Sequence, residues 1–461
     1  MTKKQAAGLA FFVLTYIFSC AIMKKTLYCE AFMKITFPGI SQADFDYAIE
    51  CLEVCKKPEA KKYGFGYPYF APGGMYGAQW WQLDSSLALC GYKWIDKDMV
   101  EASLQNFVDV QKDDGRICLY GADVFPNQVA GGNFSMQNEG VSSLPKLFDS
   151  AYQVLKGSRD RALKEKVYTL LKRYLDWWFS ARQDEKTGLI TAVFEETFIP
   201  YLRYAGEYAA VDTNVEVAVG CHVVELLADE LGYKSDAAVA RERFDALKCS
   251  INKYLWNDEM GAYFAYYVKE ERHDERLMVS AFYPLRLKIA PLERRARLIS
   301  LMTDDSHFNW DTTPLTSVSK RDKVFVTTRG GYQGNASWSG NVWTLCNEMV
   351  IRGLLDCGED SLAANLALKT VRAFNHNCAE FINPFDRSGH GVIQYAWSAS
   401  QYLEILIEVI FGAKYTADGD FAPMPHLCDE LVGERISLEN IRLPDGSVKS
   451  IFIENGVARV E

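Results

Sequence analysis

The chain holds no C-x-x-C pair and no H-E-x-x-H motif, although its 461 residues include 12 cysteines and 6 histidines. A structural zinc needs clustered ligands, so the sequence offers none. The cysteines are scattered from Cys20 to Cys428 and read as small apolar core residues, not as a disulfide framework. There is no excess of positive charge. Lys and Arg total 50 against 60 Asp and Glu, a formal net charge of −10, which argues against a nucleic-acid binder that needs a basic stripe. No low-complexity linker divides residues 41 to 415. Hydrophobic residues make up 49% and charged residues 24%, the composition of a foldable globular chain. Aromatics are dense at 13%, with 10 Trp and 25 Tyr. They imply an aromatic core or a groove lined with flat rings.

Lys3 and Lys4 precede an uncharged run from Ala6 to Met23, and Lys24 and Lys25 follow it. These 18 residues stand between a signal h-region and a membrane anchor in length. Residues 1–40 are therefore expected to be an N-terminal targeting or anchor segment. That expectation gives a secretory, periplasmic or membrane-anchored protein, or a cytoplasmic one if translation starts at Met23 or Met33. Asn133-Phe134-Ser135 and Asn335-Ala336-Ser337 are N-x-S acceptors usable in a eukaryotic secretory route.

From there the pattern is helical. Leu163, Val167, Leu170, Leu171, Tyr174, Leu175 and Trp178 recur at three- and four-residue spacing within Ala162 to Arg182. Further helices are expected over Ala151–Lys156, Asn214–Leu231 (stopped by Gly232), Ala237–Leu255, Leu292–Met302, Val342–Leu355, Leu362–Asn375 and Ser398–Phe411. Strand-like segments are few: Gly261–Val268, and a tail from Leu443 to Val460 with a Pro444-Asp445-Gly446 turn. Twelve helices spread over residues 41–415 leave about 31 residues for each helix and loop. The expected fold is all-α: an (α/α)6 toroid of six helical hairpins over 41–415, followed by a 416–461 extension carrying a small C-terminal β-hairpin. Periodicity alone also suits an α-solenoid.

Four segments carry chemistry. In Trp80-Trp81-Gln82-Leu83-Asp84-Ser85, two indoles precede an acceptor, as sugar sites require, or else form a buried aromatic junction. In Phe194-Glu195-Glu196-Thr197-Phe198-Ile199-Pro200, adjacent carboxylates repel, so one is expected to keep its proton as a general acid must; a solvated acidic turn is the alternative. Downstream, Asp212 reads equally as a substrate contact or as a helix cap. Thr328 to Trp343 is a Gly-rich stretch containing Arg329, Trp338 and Trp343, without the G-x-x-x-x-G-K-[ST] of a phosphate loop. Its indoles are sugar platforms or core. Finally, Glu380 is isolated among apolar neighbours, with Trp397 downstream, and reads as a functional carboxylate or else as an exposed loop glutamate.

Taken in order, these segments resemble the glycosidase clan of glycoside hydrolase family 63. That clan includes processing α-glucosidases and bacterial mannosylglycerate hydrolase-like enzymes, with trehalases as cousins. Trp80 to Ser85 is similar to a W-x-x-D-S segment. Val211-Asp212-Thr213-Asn214, ending at Leu227-Ala228-Asp229-Glu230-Leu231-Gly232, is similar to V-D-L-N-A opening a helix that ends L-A-x-x-L-G. Leu255-Trp256-Asn257-Asp258-Glu259-Met260-Gly261-Ala262-Tyr263, Trp338 to Asn347, and Glu380 to Gly389 with Trp397-Ser398-Ala399 follow in the family's order. The resemblance covers about residues 60 to 412.

It implies an (α/α)6 barrel and inverting hydrolysis of a glycosidic bond, with an acid and a base carboxylate about 6.5–9.5 Å apart. Glu380 stands where the family's general base stands. The family's acid is an aspartate in G-x-D-N-x-P, and this chain departs there: that position falls near Ile199, and the replacement acid is Glu196 first, then Glu195. Ser339 stands where the family usually has arginine. Trp80, Trp81, Trp338, Trp343 and Trp397 are expected as apolar walls, and Asp84, Asp212 and Arg329 as hydroxyl binders. The expected substrate is a terminal or small, α-linked glycan, and the chemistry requires no cofactor or metal. The departure leaves open a phosphorylase, lyase or epimerase, or an inactive carbohydrate-binding protein on the same toroid.

Overall fold

A computed structural model describes residues 33–61, 64–121, 140–198, 208–327, 338–416 and 420–461. The apolar run Ala6–Met23, both N-x-S triplets and Arg329 lie outside the described residues. No described helix is long and apolar enough to cross a membrane.

Helices alternate between an outer and an inner layer. The outer helices are α1 (Gln42–Cys55), α3 (Lys97–Val110), α5 (Arg161–Arg182), α7 (Lys234–Ser250), α8 (Leu292–Met302) and α10 (Asp360–Phe374). The inner helices are α2 (Gln82–Tyr92), α4 (Leu147–Leu155), α6 (Val211–Leu231), α9 (Thr344–Cys357) and α11 (Ala396–Glu404). The remaining inner position is filled by a 3-10 segment, Val279–Lys288. Pro284 inside that segment cannot donate to a helical ladder, and Leu287 takes a left-handed φ of 49°. Around the axis, α2 packs on α4, α4 on α6, α6 on the 3-10 segment, that segment on α9, α9 on α11, and α11 back on α2. This is the six-hairpin (α/α)6 arrangement, with one expected α-helix replaced by a 3-10 segment.

The two layers differ in sequence for a physical reason. An outer helix buries one stripe. In α5 that stripe includes Val167, Leu170, Leu171, Tyr174, Leu175 and Trp178, and the Asp160 side chain caps its start at Leu163 N (3.0 Å). An inner helix is covered on all sides, as α2 is from Asp84 to Tyr92. α6 ends as expected at Gly232, in the left-handed region at φ 90°.

The inner helices also carry charges to the axis. Lys146 Nζ lies 3.2 Å from Asp149, 3.6 Å from Glu216 and 3.6 Å from Glu348. Arg352 reaches Glu348 at 3.0 Å and Glu404 at 2.6 Å. Such groups survive burial only when paired.

The expected C-terminal hairpin is part of a larger sheet. Strands β1 (Lys34–Thr36), β2 (Ile436–Arg442), β3 (Val448–Glu454) and β4 (Val457–Val460) form an antiparallel sheet in that order. Ile35 pairs with Leu438, and Ile436, Leu438, Ile451 and Ile453 bury one face. Residues 33–40, assigned above to the N-terminal segment, are thus folded onto the body. The turn at Pro444-Asp445-Gly446 is as expected, with Gly446 N–H donating to Leu443 O at 3.0 Å.

Candidate active site

Three inner helices are entered through an extended aromatic residue. Trp81 (φ −121°, ψ 131°) precedes α2, Trp343 (φ −120°, ψ 136°) precedes α9, and Tyr395 (φ −115°, ψ 127°) precedes α11. The first turn of a helix leaves backbone N–H groups without helical partners, so polar side chains collect there. The result is a floor where rings alternate with polar groups.

Trp338 stacks on Trp343 with centroids 3.6 Å apart and planes 4° from parallel. Trp397 packs at 5.7 Å from Trp343, Phe381 at 4.9 Å from Trp343, and Phe198 stacks 5.1 Å from Trp338. Trp343 and Trp397 are buried, whereas Trp338 keeps partial exposure and caps the stack. Trp81 is partly exposed, stacked on Tyr120 at 4.8 Å with Tyr76 edge-on at 5.7 Å. Trp80 is different. It is fully buried between Phe65 (5.5 Å) and Phe107 (5.4 Å). Trp80 is a core residue, and its expected role as a sugar wall is withdrawn.

Glu380 is 3% exposed and sits against this cluster. Its neighbours Phe381–Ile382 pair with Gly389–His390, and Ile382 exchanges backbone hydrogen bonds with Val342 at 2.9 and 3.0 Å. That pairing brings the segment beside Trp343. The Glu380 N–H donates to Val392 O (2.7 Å), and the Val392 N–H donates to Glu380 Oε2 (3.1 Å).

Asp84, in the first turn of α2, is 4% exposed, and its Oδ1 has no hydrogen-bond partner among the described residues. Burial pushes its carboxyl up to about 7; a hydrogen bond from Tyr395 opposes this, and the nearby Glu195 charge adds to it. Tyr395 packs edge-on to Trp397 at 5.0 Å, and its N–H donates to Cys378 O at 2.8 Å, two residues before Glu380. Glu195, Asp84, Tyr395 and the Glu380 segment therefore form one continuous neighbourhood.

The adjacent glutamates have opposite fates. Glu195 is partly exposed in the 3-10 turn Phe194–Glu196. Glu196 is 0% exposed. Its carboxylate takes both arms of the Arg182 guanidinium (2.7 and 2.8 Å), the Ser142 N–H (2.9 Å) and the Val193 N–H (3.1 Å). Burial pushes its carboxyl up, while Arg182 and the two amides pull it back. Four hydrogen bonds from three residues tie this carboxylate into the protein, which speaks against the expected first place of Glu196 as the acid.

Asp212 is corrected too. It is fully buried and accepts from Thr197 Oγ1 (2.9 Å), Phe198 N (2.7 Å) and Thr213 N (2.9 Å). The helix cap is Ala210, with no side-chain cap, so Asp212 is not the expected N-cap; it lies inside the first turn of α6 and clamps the 197–198 backbone. Arg182, Ser142, Tyr395 and Gly391 were absent from the expected site. Arg182 in the last turn of α5 reads in sequence as an ordinary partner of the helix dipole.

The Mannosylglycerate hydrolase MGH1-like glycoside hydrolase domain family matches residues 77–197 and 200–398. An uncharacterized protein of Borreliella burgdorferi is 24% identical over 255 residues, 55% of this chain and 51% of that protein. A mannosylglycerate hydrolase of Rubrobacter radiotolerans is 26% identical over 183 residues, 40% of each chain. The chain thus spans about half or less of the length of these curated relatives. The GH63 mannosylglycerate hydrolase of Thermus thermophilus, solved with Tris and D-glycerate, superposes with a TM-score of 0.67 at 18% identity, covering 78% of this chain and 99% of that one.

Proposed function

Because the chain belongs to the mannosylglycerate hydrolase MGH1-like glycoside hydrolase family, we propose that it hydrolyses a small or terminal α-linked glycoside with inversion. A sugar joined to a small hydroxy acid is the first class to try, since the Rubrobacter relative is named a mannosylglycerate hydrolase. Glu195 gives its proton to the leaving oxygen. Glu380 takes a proton from water as the water oxygen bonds to the anomeric carbon and the glycosidic bond breaks. Asp84 Oδ1 receives a sugar hydroxyl, and Trp338 and Trp81 supply apolar faces. The observation that carries the reading is the neighbourhood that runs from Glu195, whose charge acts on buried Asp84, through the Tyr395 hydrogen bond to the segment bearing Glu380. The apolar run Ala6–Met23 supports a secretory, periplasmic or membrane-anchored site of action.

The test is hydrolysis of mannosylglycerate and its glucosyl counterpart, followed by proton NMR of the first sugar anomer released. Inversion yields the β-anomer. Glu380→Gln is expected to slow turnover by about 10²–10⁴-fold with an unchanged melting curve. Normal turnover in that variant removes the base assignment. Cleavage that requires added phosphate identifies a phosphorylase instead.

A further inference from the structure

We propose that Arg182 and Glu196 form a positioning pair whose task is to aim the Glu195 carboxyl at the leaving oxygen and to keep the charge beside it balanced. The proposal rests on Glu195 being the acid. Short 3-10 turns have few internal hydrogen bonds, so Phe194–Glu196 needs outside support. Support comes from three sides. The Glu196 carboxylate grips the Arg182 fork and closes back on the Val193 N–H, at the entrance of its own turn. It also takes the Ser142 N–H, while Leu144 N–H donates to Glu195 O at 2.9 Å, fixing the turn against 142–144. Thr213 Oγ1 donates to Glu196 O at 2.7 Å, and Asp212 holds Thr197 and the Phe198 N–H beyond it. Arg182 is itself immobilised, with its guanidinium 5.0 Å above the Trp177 ring. The backbone is thereby held at Val193, at the Glu195 carbonyl and at Glu196 to Phe198, while the Glu195 side chain keeps partial exposure.

The pair also matters electrically. Arg182 and Glu196 cancel one another, so Glu195 has a near-neutral dipole next to it. Replacing Glu196 alone leaves the guanidinium uncompensated beside the acid, which then loses its proton at lower pH.

The experiment compares two substrates in four proteins. Mannosylglycerate needs a proton on its leaving oxygen; α-mannosyl fluoride leaves as fluoride and does not. Wild type, Glu195→Gln, Glu196→Gln and the double variant Arg182→Met/Glu196→Gln are assayed on both across the pH range. The double variant replaces the whole ion pair by neutral groups of similar size, which guards against misfolding from an unpaired buried charge. Misaiming the acid is expected to cost the double variant about 10²-fold on mannosylglycerate, against less than about 10-fold on the fluoride. Glu196→Gln is expected to move the alkaline limb of kcat/KM on mannosylglycerate down by about one pH unit. Equal losses on both substrates with an unmoved limb overturn the positioning role. Equal losses in Glu195→Gln, or a wild-type protein inert to both substrates, overturn the Glu195 reading and the positioning role with it. A selective loss in Glu195→Gln without one in the double variant overturns the positioning role alone.

Discussion

A methyl group on Gly391 would stand 2.4 Å from Glu380 Oε2. Gly391 also adopts φ 72°, so two independent constraints meet at one position. Its lack of a side chain lets the 380 and 391 backbones approach closely enough for the Val392 N–H to hold the carboxylate. In Gly391→Ala the added methyl also meets Glu380 Cβ at 2.9 Å, so the whole Glu380 side chain is displaced, not its carboxylate end alone. Activity is expected to fall by about 10²-fold, and stability by at least the roughly 1–2 kcal/mol that the left-handed backbone alone costs a residue with a side chain. Kinetics beside a urea melt checks both.

Asp84 makes stability depend on pH. Its folded pKa of about 7 lies above the ordinary value of 3.8, so the folded state holds a proton that the unfolded chain has released. Stability from this group therefore falls as pH rises from about 4 to 7, by an upper bound on the order of 4 kcal/mol. Asp84→Asn cannot ionise. Relative to wild type it is expected to gain melting temperature at pH 8 and not at pH 4, while losing sugar affinity at both. Calorimetry at the two pH values is the check.

Lys146 holds three carboxylates together at the axis. Burial pulls its ammonium down, but Glu216, Glu348 and Asp149 hold it charged. Lys146→Met leaves those acids without their cation and is expected to cost about 3–5 kcal/mol. Glu216→Gln is expected to be far milder, since Glu216 has no hydrogen bond to lose among the described residues and its carboxyl is already raised to about 7, chiefly by burial. Thermal melts of both variants at pH 8 test the asymmetry.

The tryptophans separate by burial. Trp80→Ala is expected to lose about 3–5 kcal/mol of stability through cavity formation. Trp338→Ala, at a partly exposed ring, is expected to raise KM with a smaller stability loss. Melting curves and Michaelis plots distinguish the two.

Much of the outer layer could be read from the chain. The spacing in Ala162–Arg182 located α5, and Leu292–Met302 coincides with α8. The helices passed over include α2 and the 3-10 segment, and the reason is physical. α2 is buried on nearly every side, so it has no polar stripe and no helical period to detect. α1 did carry signals: Ser41 with Asp44 as a capping box, and Phe45, Ile49 and Leu52 along one face. At the site, Glu380 and the aromatic cluster were found as a group. Sequence alone puts Glu196 ahead of Glu195, because what separates them, Arg182 and the Ser142 amide, lies outside their own segment of the chain. Trp80 and Trp81 are neighbours that part company only when Phe107 arrives from α3.

The pairing of Ile35 with Leu438 joins positions about 400 residues apart. During synthesis, the first strand emerges long before its partner exists. Its hydrogen-bonding edge stays open until residues 436–442 leave the ribosome. Assembly of the toroid can proceed hairpin by hairpin, but the seam closes last. A stop codon placed before Ile436 is therefore expected to leave β1 adhesive, and with it a chain prone to joining others of its kind.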